Sequence, residues 1–434
     1  MSTIFALSTG PVPAGVAVIR ISGPQAFAAV DGLILGALPP PRFAALRRLI
    51  NPETHGEIDT GLVLVFPQPA SFSGEDCAEL QVHGSRAVVA ALSEALVGLG
   101  LRPAEAGEFT RRALLNNKLS LTEVEGLGDV LQAETQQQLK LAQLQTSGAL
   151  KAQYDDWRAQ LIALRARLEA ELDFSDEELP SRLLEEVRRH GQALLQKVAE
   201  HQLANEAAER VRGGIKAVIV GPPNAGKSTL LNRLAQRDVA IVSDEPGTTR
   251  DSLEVQLDLA GYPITLVDTA GLRSTSSEVE REGIARAERH IASADIVIAM
   301  TAPKLAMPPL ERAADIQLFN KIDLGGAEPA GWLGLSLRSG AGLDQFLQIL
   351  TELTQQRFSW GTHVVTGQAR HHAALQGAES ALTQALLYLE PGTEDLVLAA
   401  EHLRQAAHHL AYIVGRTDVE DVLGEIFSSF CIGK

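Results

Sequence analysis

The sequence predicts a multidomain chain that joins α/β units to an all-α one, and three changes of texture carry that prediction. Residues 1–118 mix short β-rich runs with Pro/Gly turns, and residues 119–210 turn to long stretches of Leu, Ala, Glu, Gln and Arg. Residues 211–365 alternate apolar strand-like runs with helical segments, and the helical texture returns over residues 366–434. The economical arrangement is a helical domain split in sequence, with the second α/β domain inserted into it.

Each element follows from its own pattern. "GVAVIRIS", "GLVLVF" and "AELQVHG" read as strands and "AVVAALSEALVGL" as a helix, which makes residues 1–118 a compact α/β domain. "ALKAQYDDWRAQLIALRARLEAELDF" keeps apolar residues at helical spacing, and the acidic "DFSDEELP" with Pro180 breaks it into a loop. After "VRGGIKAVIVG" the runs "KAVIV", "ITLVD", "DIVIAM" and "IQLF" alternate with helical segments, the pattern of a doubly wound sheet.

Bulk properties narrow the function classes. No apolar run among the 434 residues approaches the ~20 needed to span a membrane, and the N-terminus lacks the basic region and cleavage site of a secretory signal. With two cysteines, Cys77 and Cys431, no disulfide framework is expected, which fits a reducing cytoplasm. A net charge of −16 argues against a surface coated for nucleic acid. Two basic clusters, "PRFAALRR" (Arg42, Arg47, Arg48) and "FTRRALLNNK" (Arg111, Arg112, Lys118), read as scattered solvated surface. Cys77 reads as core, and His371, His372, His402, His408 and His409 as residues of solvated helix faces.

The strongest motif is "GPPNAGKST". Gly221, four residues, then Gly226-Lys227-Ser228 is a phosphate-binding loop set between an apolar strand and a helical run. Its glycines let backbone amides wrap the phosphates at a helix N-terminus, Lys227 reaches the β/γ-phosphates, and the Ser228 hydroxyl is a Mg²⁺ ligand. "PGTTRD" offers Thr249 as a second hydroxyl ligand, beside Thr248. "DTAG" brings Asp268 to the metal shell and the Gly271 amide to the γ-phosphate. In "NKID" the Asp323 carboxylate is acceptor-only, so it matches the two adjacent donors of guanine and disfavours adenine. Asn320 and Lys321 brace that pocket, and Ser336, Leu337 and Arg338 cap the base. The expected nucleotide contacts therefore run over Asn224, Ala225, Gly226, Lys227, Ser228 and Thr229, then Ser243, Asp244, Glu245, Pro246, Gly247, Thr248 and Thr249. They continue through Asp268, Thr269, Ala270 and Gly271 to the base pocket. Four short motifs in order, each at a strand end, predict a Ras-like P-loop G domain that binds GTP.

Outside that domain, "GEDCAELQVHG", "AGEFTRRALLNNKLSLTEVEG" and "IFSSFCIGK", taken with "GPPNAGKSTLLNRL", resemble the tRNA uridine-modification GTPases of the MnmE (TrmE) family over the whole chain. The resemblance implies an N-terminal folate-binding domain that dimerises, a discontinuous helical domain and the inserted G domain. It also implies a GTP-hydrolysing subunit that works with the flavoprotein MnmG, as a heterotetramer. Together they install a carboxymethylaminomethyl-type group at C5 of the wobble uridine of tRNA, from a 5,10-methylene- or 5-formyl-tetrahydrofolate one-carbon unit. Arg20, Glu79, Lys118 and Lys434 match the family's folate-contacting positions. Cys431 matches its C-terminal cysteine, either a thiolate near the folate or a small buried residue beside Phe430.

The same resemblance bears on hydrolysis. Ras-like switches orient the attacking water with a glutamine after the DTAG glycine, but Gly271 is followed by Leu272 and Arg273. Residues alone do not choose among Glu278, Glu280 and Glu282; the family pattern assigns Glu280 as the catalytic acid. It further implies K⁺ in place of an arginine finger, held by Asn224 and by carbonyls of Ser243, Glu245 and Thr248. Pro222 stands where the family usually has arginine, and "DEP" where "DIA"-like residues are common. The alternative is a regulatory RNA- or ribosome-associated GTPase switch without folate chemistry, which leaves "GEFTRRALLNNK" and "FCIGK" unexplained.

Overall fold

A computed structural model of the chain describes residues 2–173, 182–241, 254–268, 291–310, 312–325, 328–361, 363–392 and 395–416, with residues 423, 424, 426, 427, 430 and 433. It divides into two compact units, Met1–Gly128 with Ala411–Lys434, and Asp129–Leu410.

The first unit is built on a six-stranded sheet. Its strands are β1 (Ile4–Leu7), β2 (Ala14–Ser22), β3 (Ala45–Ile50), β4 (Glu57–Phe66), β5 (Cys77–Gly84) and β6 (Arg102–Pro103), in the order β3-β4-β5-β2-β1-β6. All neighbours are antiparallel except β1 with β6. Alternation along β2 and β5 decides what each face carries. Ala17, Ile19 and Ile21 with Ala78, Leu80 and Val82 are buried in one core with residues of α1 (Ala26–Leu33) and α2 (Arg86–Gly98). Arg20 and Glu79, cross-strand partners in that register, therefore point to the opposite face. There Phe109 of α3 (Glu108–Leu115) packs with Ile4 and Ala6.

Arg112 corrects one expectation. It is 3% exposed and not a solvated surface residue. Its guanidinium donates to Glu75 at 2.8 Å, to Glu108 at 2.9 Å and to the Ser2 carbonyl at 2.8 Å. Burial opposes ionisation of Glu108, but Arg102, the Glu105 amide and Arg112 outweigh it and hold its carboxyl down at about 2. A helical i,i+4 pair, Glu108–Arg112, thus becomes the centre of a buried ion network.

α4 (Leu121–Gln132) runs across the boundary at Gly128, and the second unit continues with α5 (Gln136–Thr146), α6 (Ala149–Asp173) and α7 (Arg182–Gly213). Tyr154, Trp157, Leu161, Leu164 and Leu168 are buried along α6, and Val187, Leu194, Val198, His201, Asn205 and Ala208 along α7. These spacings of three and four form a seam of the 3.5-residue kind. Its polar members are tied in: the Tyr154 hydroxyl lies 2.9 Å from His201 Nε2, and Asn205 Oδ1 accepts from the Thr366 and Gly367 amides at 2.9 and 3.3 Å, while Asn205 Nδ2 is buried without a partner among the described residues.

The inserted α/β domain begins directly after α7. Its sheet runs β12-β11-β10-β7-β9-β8, with β7 (Ile215–Val220), β8 (Glu254–Leu259), β9 (Tyr262–Asp268), β10 (Ile296–Thr301), β11 (Ile316–Asn320) and β12 (Leu333–Leu335). Every pair is parallel except β8 with β9. α8 (Lys227–Leu234) and α9 (Leu343–Arg357) contribute to its core. The chain then re-enters the helices at α10 (Ala369–Leu387) and α11 (Leu396–Ile413). His371, expected on a solvated face, is fully buried, with Nδ1 2.9 Å from Thr366 Oγ1. The re-entry segment packs into the helical seam, so the first turn of α10 has no solvated side at His371.

Candidate functional site

The phosphate loop follows from β7, whose run of apolar residues is buried on both faces as the central strand of a parallel sheet. β9 lies on one side of it and β10 on the other, so the loop opens where the strand order reverses, outside the carboxyl ends of the strands. Two glycines are required there. A Cβ on Gly221 would lie 1.9 Å from the Met300 carbonyl oxygen, and one on Gly226, at φ +106°, 2.3 Å from Asn320 Nδ2. Asn224 also takes a positive φ of 63°. This backbone delivers the chain to α8 with Lys227 as its first residue.

The described members of the predicted nucleotide site converge on that loop. Lys227 Nζ donates to the carbonyls of Gly221 at 2.9 Å and Pro222 at 3.1 Å, so its ammonium lies within the loop. Ser228 Oγ donates to Asp268 Oδ2 at 2.6 Å, which joins the start of α8 to the end of β9. A hydroxyl and a carboxylate in contact at the phosphate end of the loop are a hard, oxygen-only donor set, which fits Mg²⁺. Ala225 is buried beneath the loop, and Thr229 is exposed on α8.

The base-pocket residues are tied to the same loop. Asn320 Nδ2 donates to the Ala225 carbonyl at 2.8 Å, while its Oδ1 accepts from the Leu337 amide at 3.3 Å. Lys321 Nζ donates to the Asn224 carbonyl at 2.8 Å. That contact ties the base-pocket segment to the backbone of the phosphate loop. Ser336 Oγ donates to Asp323 Oδ1 at 2.7 Å, and the Arg338 carbonyl accepts from Arg233 at 3.1 Å. Ser243, Asp244, Glu245, Pro246, Gly247, Thr248, Thr249, Thr269, Ala270, Gly271, Glu280, Cys431 and Lys434 lie outside the described residues.

In the first unit Arg20, Glu79 and Lys118, distant in sequence, line one cavity of about 500 Å³. Arg20 donates to Glu79 Oε1 through Nε at 3.2 Å and Nη2 at 3.0 Å, and its guanidinium carbon lies 5.5 Å from the Phe72 ring centroid and 5.9 Å from that of Phe109. A carboxylate backed by arginine and flanked by aromatic faces suits a flat heterocycle with a donor edge, and the volume lies in the range of small-ligand pockets. Arg42, Phe66, Ala70, Ser71, Phe72 and Cys77 complete the lining. As a site they escape a sequence reading because they come from the approach to β3, the end of β4, the β4–β5 loop and the start of β5, which only the sheet order brings together.

A strand-end loop for phosphate, a carboxylate of the metal shell and an acceptor-only carboxylate for the base, all on one edge of a doubly wound sheet, define a P-loop GTPase domain carried on a helical bundle. The particular family comes from the rest of the chain. The family model described as "MnmE helical domain" matches residues 121–431, and "GTP-binding protein TrmE N-terminus" matches residues 3–118. The "tRNA modification GTPase MnmE" of Parvibaculum lavamentivorans is 48% identical, covering 100% of both chains. Those of Azorhizobium caulinodans and Rhizobium meliloti are 47% and 46% identical, each over 100% of this chain and 99% of the relative. The chain belongs to the MnmE family of tRNA modification GTPases.

Proposed function

We propose that this protein is the GTP-hydrolysing subunit of a tRNA wobble-uridine modification complex, acting as a homodimer with MnmG and drawing its one-carbon unit from a tetrahydrofolate. The observation that carries the folate half is the convergence of Arg20, Glu79 and Lys118 on one cavity of the TrmE-like unit. Glu79 accepts from the donor edge of the pterin, Arg20 holds that carboxylate in place, and Lys118 meets the anionic part of the ligand. When bound, the folate supplies the carbon at the oxidation level of formaldehyde or formate. Lys434 and Cys431 are assigned to the same site by the family pattern.

In the G domain the amides from Asn224 to Thr229 wrap the phosphates and Lys227 offsets β/γ charge. Asp323 reads the guanine edge, while Ser336, through its hydrogen bond, fixes the carboxylate's orientation. Ser228 and Thr249 would hold Mg²⁺, with Asp268 in its outer shell, and Asn224, Ser243, Glu245 and Thr248 would hold K⁺. Bound there, the ions would supply positive charge against the phosphates, K⁺ in the role an arginine finger takes elsewhere. Glu280 positions the water that a glutamine positions in Ras-like proteins.

The test has two arms. Hydrolysis measured in KCl and NaCl at equal ionic strength should be faster in KCl by up to about 10³, the lower end of an arginine finger's effect. Mass analysis of wobble nucleosides in a deletion strain should show loss of the C5 substituent. Equal rates in both salts would overturn the K⁺ assignment, and an unchanged nucleoside profile would overturn the tRNA assignment.

A further inference from the structure

Burial sorts the lining of the N-terminal cavity into a floor and a rim. Cys77 and Ser71 are buried, the Arg20–Glu79 pair is about one-fifth exposed at 22% and 21%, and Arg42, Ala70 and Lys118 are exposed. The rim holds two cations from segments far apart in sequence. Lys118, beyond the end of α3, donates to the Pro69 carbonyl at 3.0 Å. Arg42, before β3, donates through Nη2 to the Ala70 carbonyl and lies with its guanidinium carbon 5.7 Å from the Phe66 ring centroid. Two successive carbonyls of the β4–β5 loop are thus gripped from both sides.

What sets these two apart from Arg20, the other cation lining the cavity, is the charge of their partners. In the same unit Arg20 is paired with Glu79, Arg48 with Glu57, and Arg102 and Arg112 with Glu108. Among the described residues neither Arg42 nor Lys118 makes an ion pair; each is held by a neutral carbonyl oxygen, which orders the side chain without cancelling its charge. The Phe66 face adds a second restraint on the Arg42 guanidinium without neutralising it. A preordered, uncompensated pair of cations at the open end of a cavity is an anion reader, and Arg is the better reader of carboxylates because its fork presents two parallel donors.

We propose that Arg42, with Lys118, selects the carboxylate-bearing tail of the ligand whose ring occupies the Arg20–Glu79 floor, so that the site takes glutamate-conjugated reduced pterins in preference to tailless ones. This rests on the folate reading of the cavity. Arg42 is then a specificity residue that acts on the tail and not on the ring.

Titration calorimetry on the full chain tests it with three probes at fixed ionic strength: 5-formyltetrahydrofolate, its triglutamate, and 6-methyltetrahydropterin, which has no tail. The wild type should bind the glutamate-bearing ligands more tightly than the tailless one. Arg42→Gln should weaken the glutamate-bearing ligands about ten- to a hundredfold, the effect of one charged hydrogen bond, and leave the tailless pterin unchanged. Arg42→Lys should fall between. Unchanged tailless binding shows at once that the variant is folded. An Arg42→Gln protein that binds all three as the wild type does, or weakens all three equally, overturns the selection by Arg42 while the folate reading stands. A wild type that binds none of the three overturns both.

Discussion

Asn320 joins the two halves of the nucleotide site, so its removal should disable both. The side chain is 2% exposed and makes two backbone contacts, donating to the Ala225 carbonyl at 2.8 Å and accepting from the Leu337 amide at 3.3 Å. Ala225 is 0% and Leu337 6% exposed, so Asn320→Ala leaves both backbone groups without a partner in places water reaches poorly. Each such group costs about 1–3 kcal/mol, which places the total at about 2–6 kcal/mol. Because the orphaned carbonyl belongs to the phosphate loop and the orphaned amide to the base-capping loop, the cost falls on nucleotide binding as well as on the empty fold. At the lower figure, full expression in binding weakens GDP about thirtyfold. Fluorescence titration with a labelled GDP reads the binding share, and a thermal melt without nucleotide reads the stability share. Asn320→Asp is the informative companion, since it keeps the acceptor for Leu337 but turns a carboxylate oxygen on the Ala225 carbonyl. A variant with wild-type GDP affinity and an unshifted melt would refute the coupling.

Three further outcomes follow from groups described above. Asp323→Asn should shift preference from GTP towards xanthosine triphosphate in competition binding, and retained GTP preference at wild-type affinity would remove Asp323 from the base pocket. Arg20→Ala and Glu79→Ala should each weaken a reduced folate by about 1.5–3 kcal/mol in calorimetry, with unchanged titrations in both arguing against the cavity. Burial, with the charges of His363 and His371, holds the His201 imidazole down to about 4 from its ordinary 6.5. Its neutral form is favoured in the fold, so its contribution is complete above pH 6.5 and is lost as pH falls from there through about 4, some ~3 kcal/mol in all. His201→Gln should flatten urea midpoints over that window, and parallel pH profiles for variant and wild type would contradict this.

The strands with continuous apolar character were legible because burial on both faces leaves no polar residue to interrupt them: β7, β9, β10 and β11 all coincide with runs visible in the sequence. β3 was not, since "ALRRLI" sits at the sheet edge with Arg47 and Arg48 half-solvated, and its pattern reads as surface charge. Lys227, Ser228, Asn320 and Asp323 were nameable from motif spacing, and the fold brings them to one edge of the sheet. Arg20 and Glu79 on the cavity's floor and Lys118 on its rim were legible only through family resemblance, and Arg42 read as scattered surface charge. Arg112 shows the reason: beside Arg111 in sequence, it turns one helical position inward and meets Glu75, 37 residues away, which no local pattern pairs with it.

The return of the chain at Thr366 has a consequence for how the gene can be cut. Asn205 of α7 receives the amides of Thr366 and Gly367, Gln145 of α5 donates to the Thr366 carbonyl at 3.1 Å, and a Cβ on Gly367 would touch the Ala208 carbonyl. Departure at Gly213 and arrival beside Ala208 are therefore about 8 Å apart along one helix, at ~1.5 Å rise per residue. The G domain is a cassette plugged into a single short gap. A connector of roughly three residues, at ~3.3–3.6 Å each, spans that gap when the cassette is excised, provided it keeps the Thr-Gly step that Asn205 and Gln145 hold.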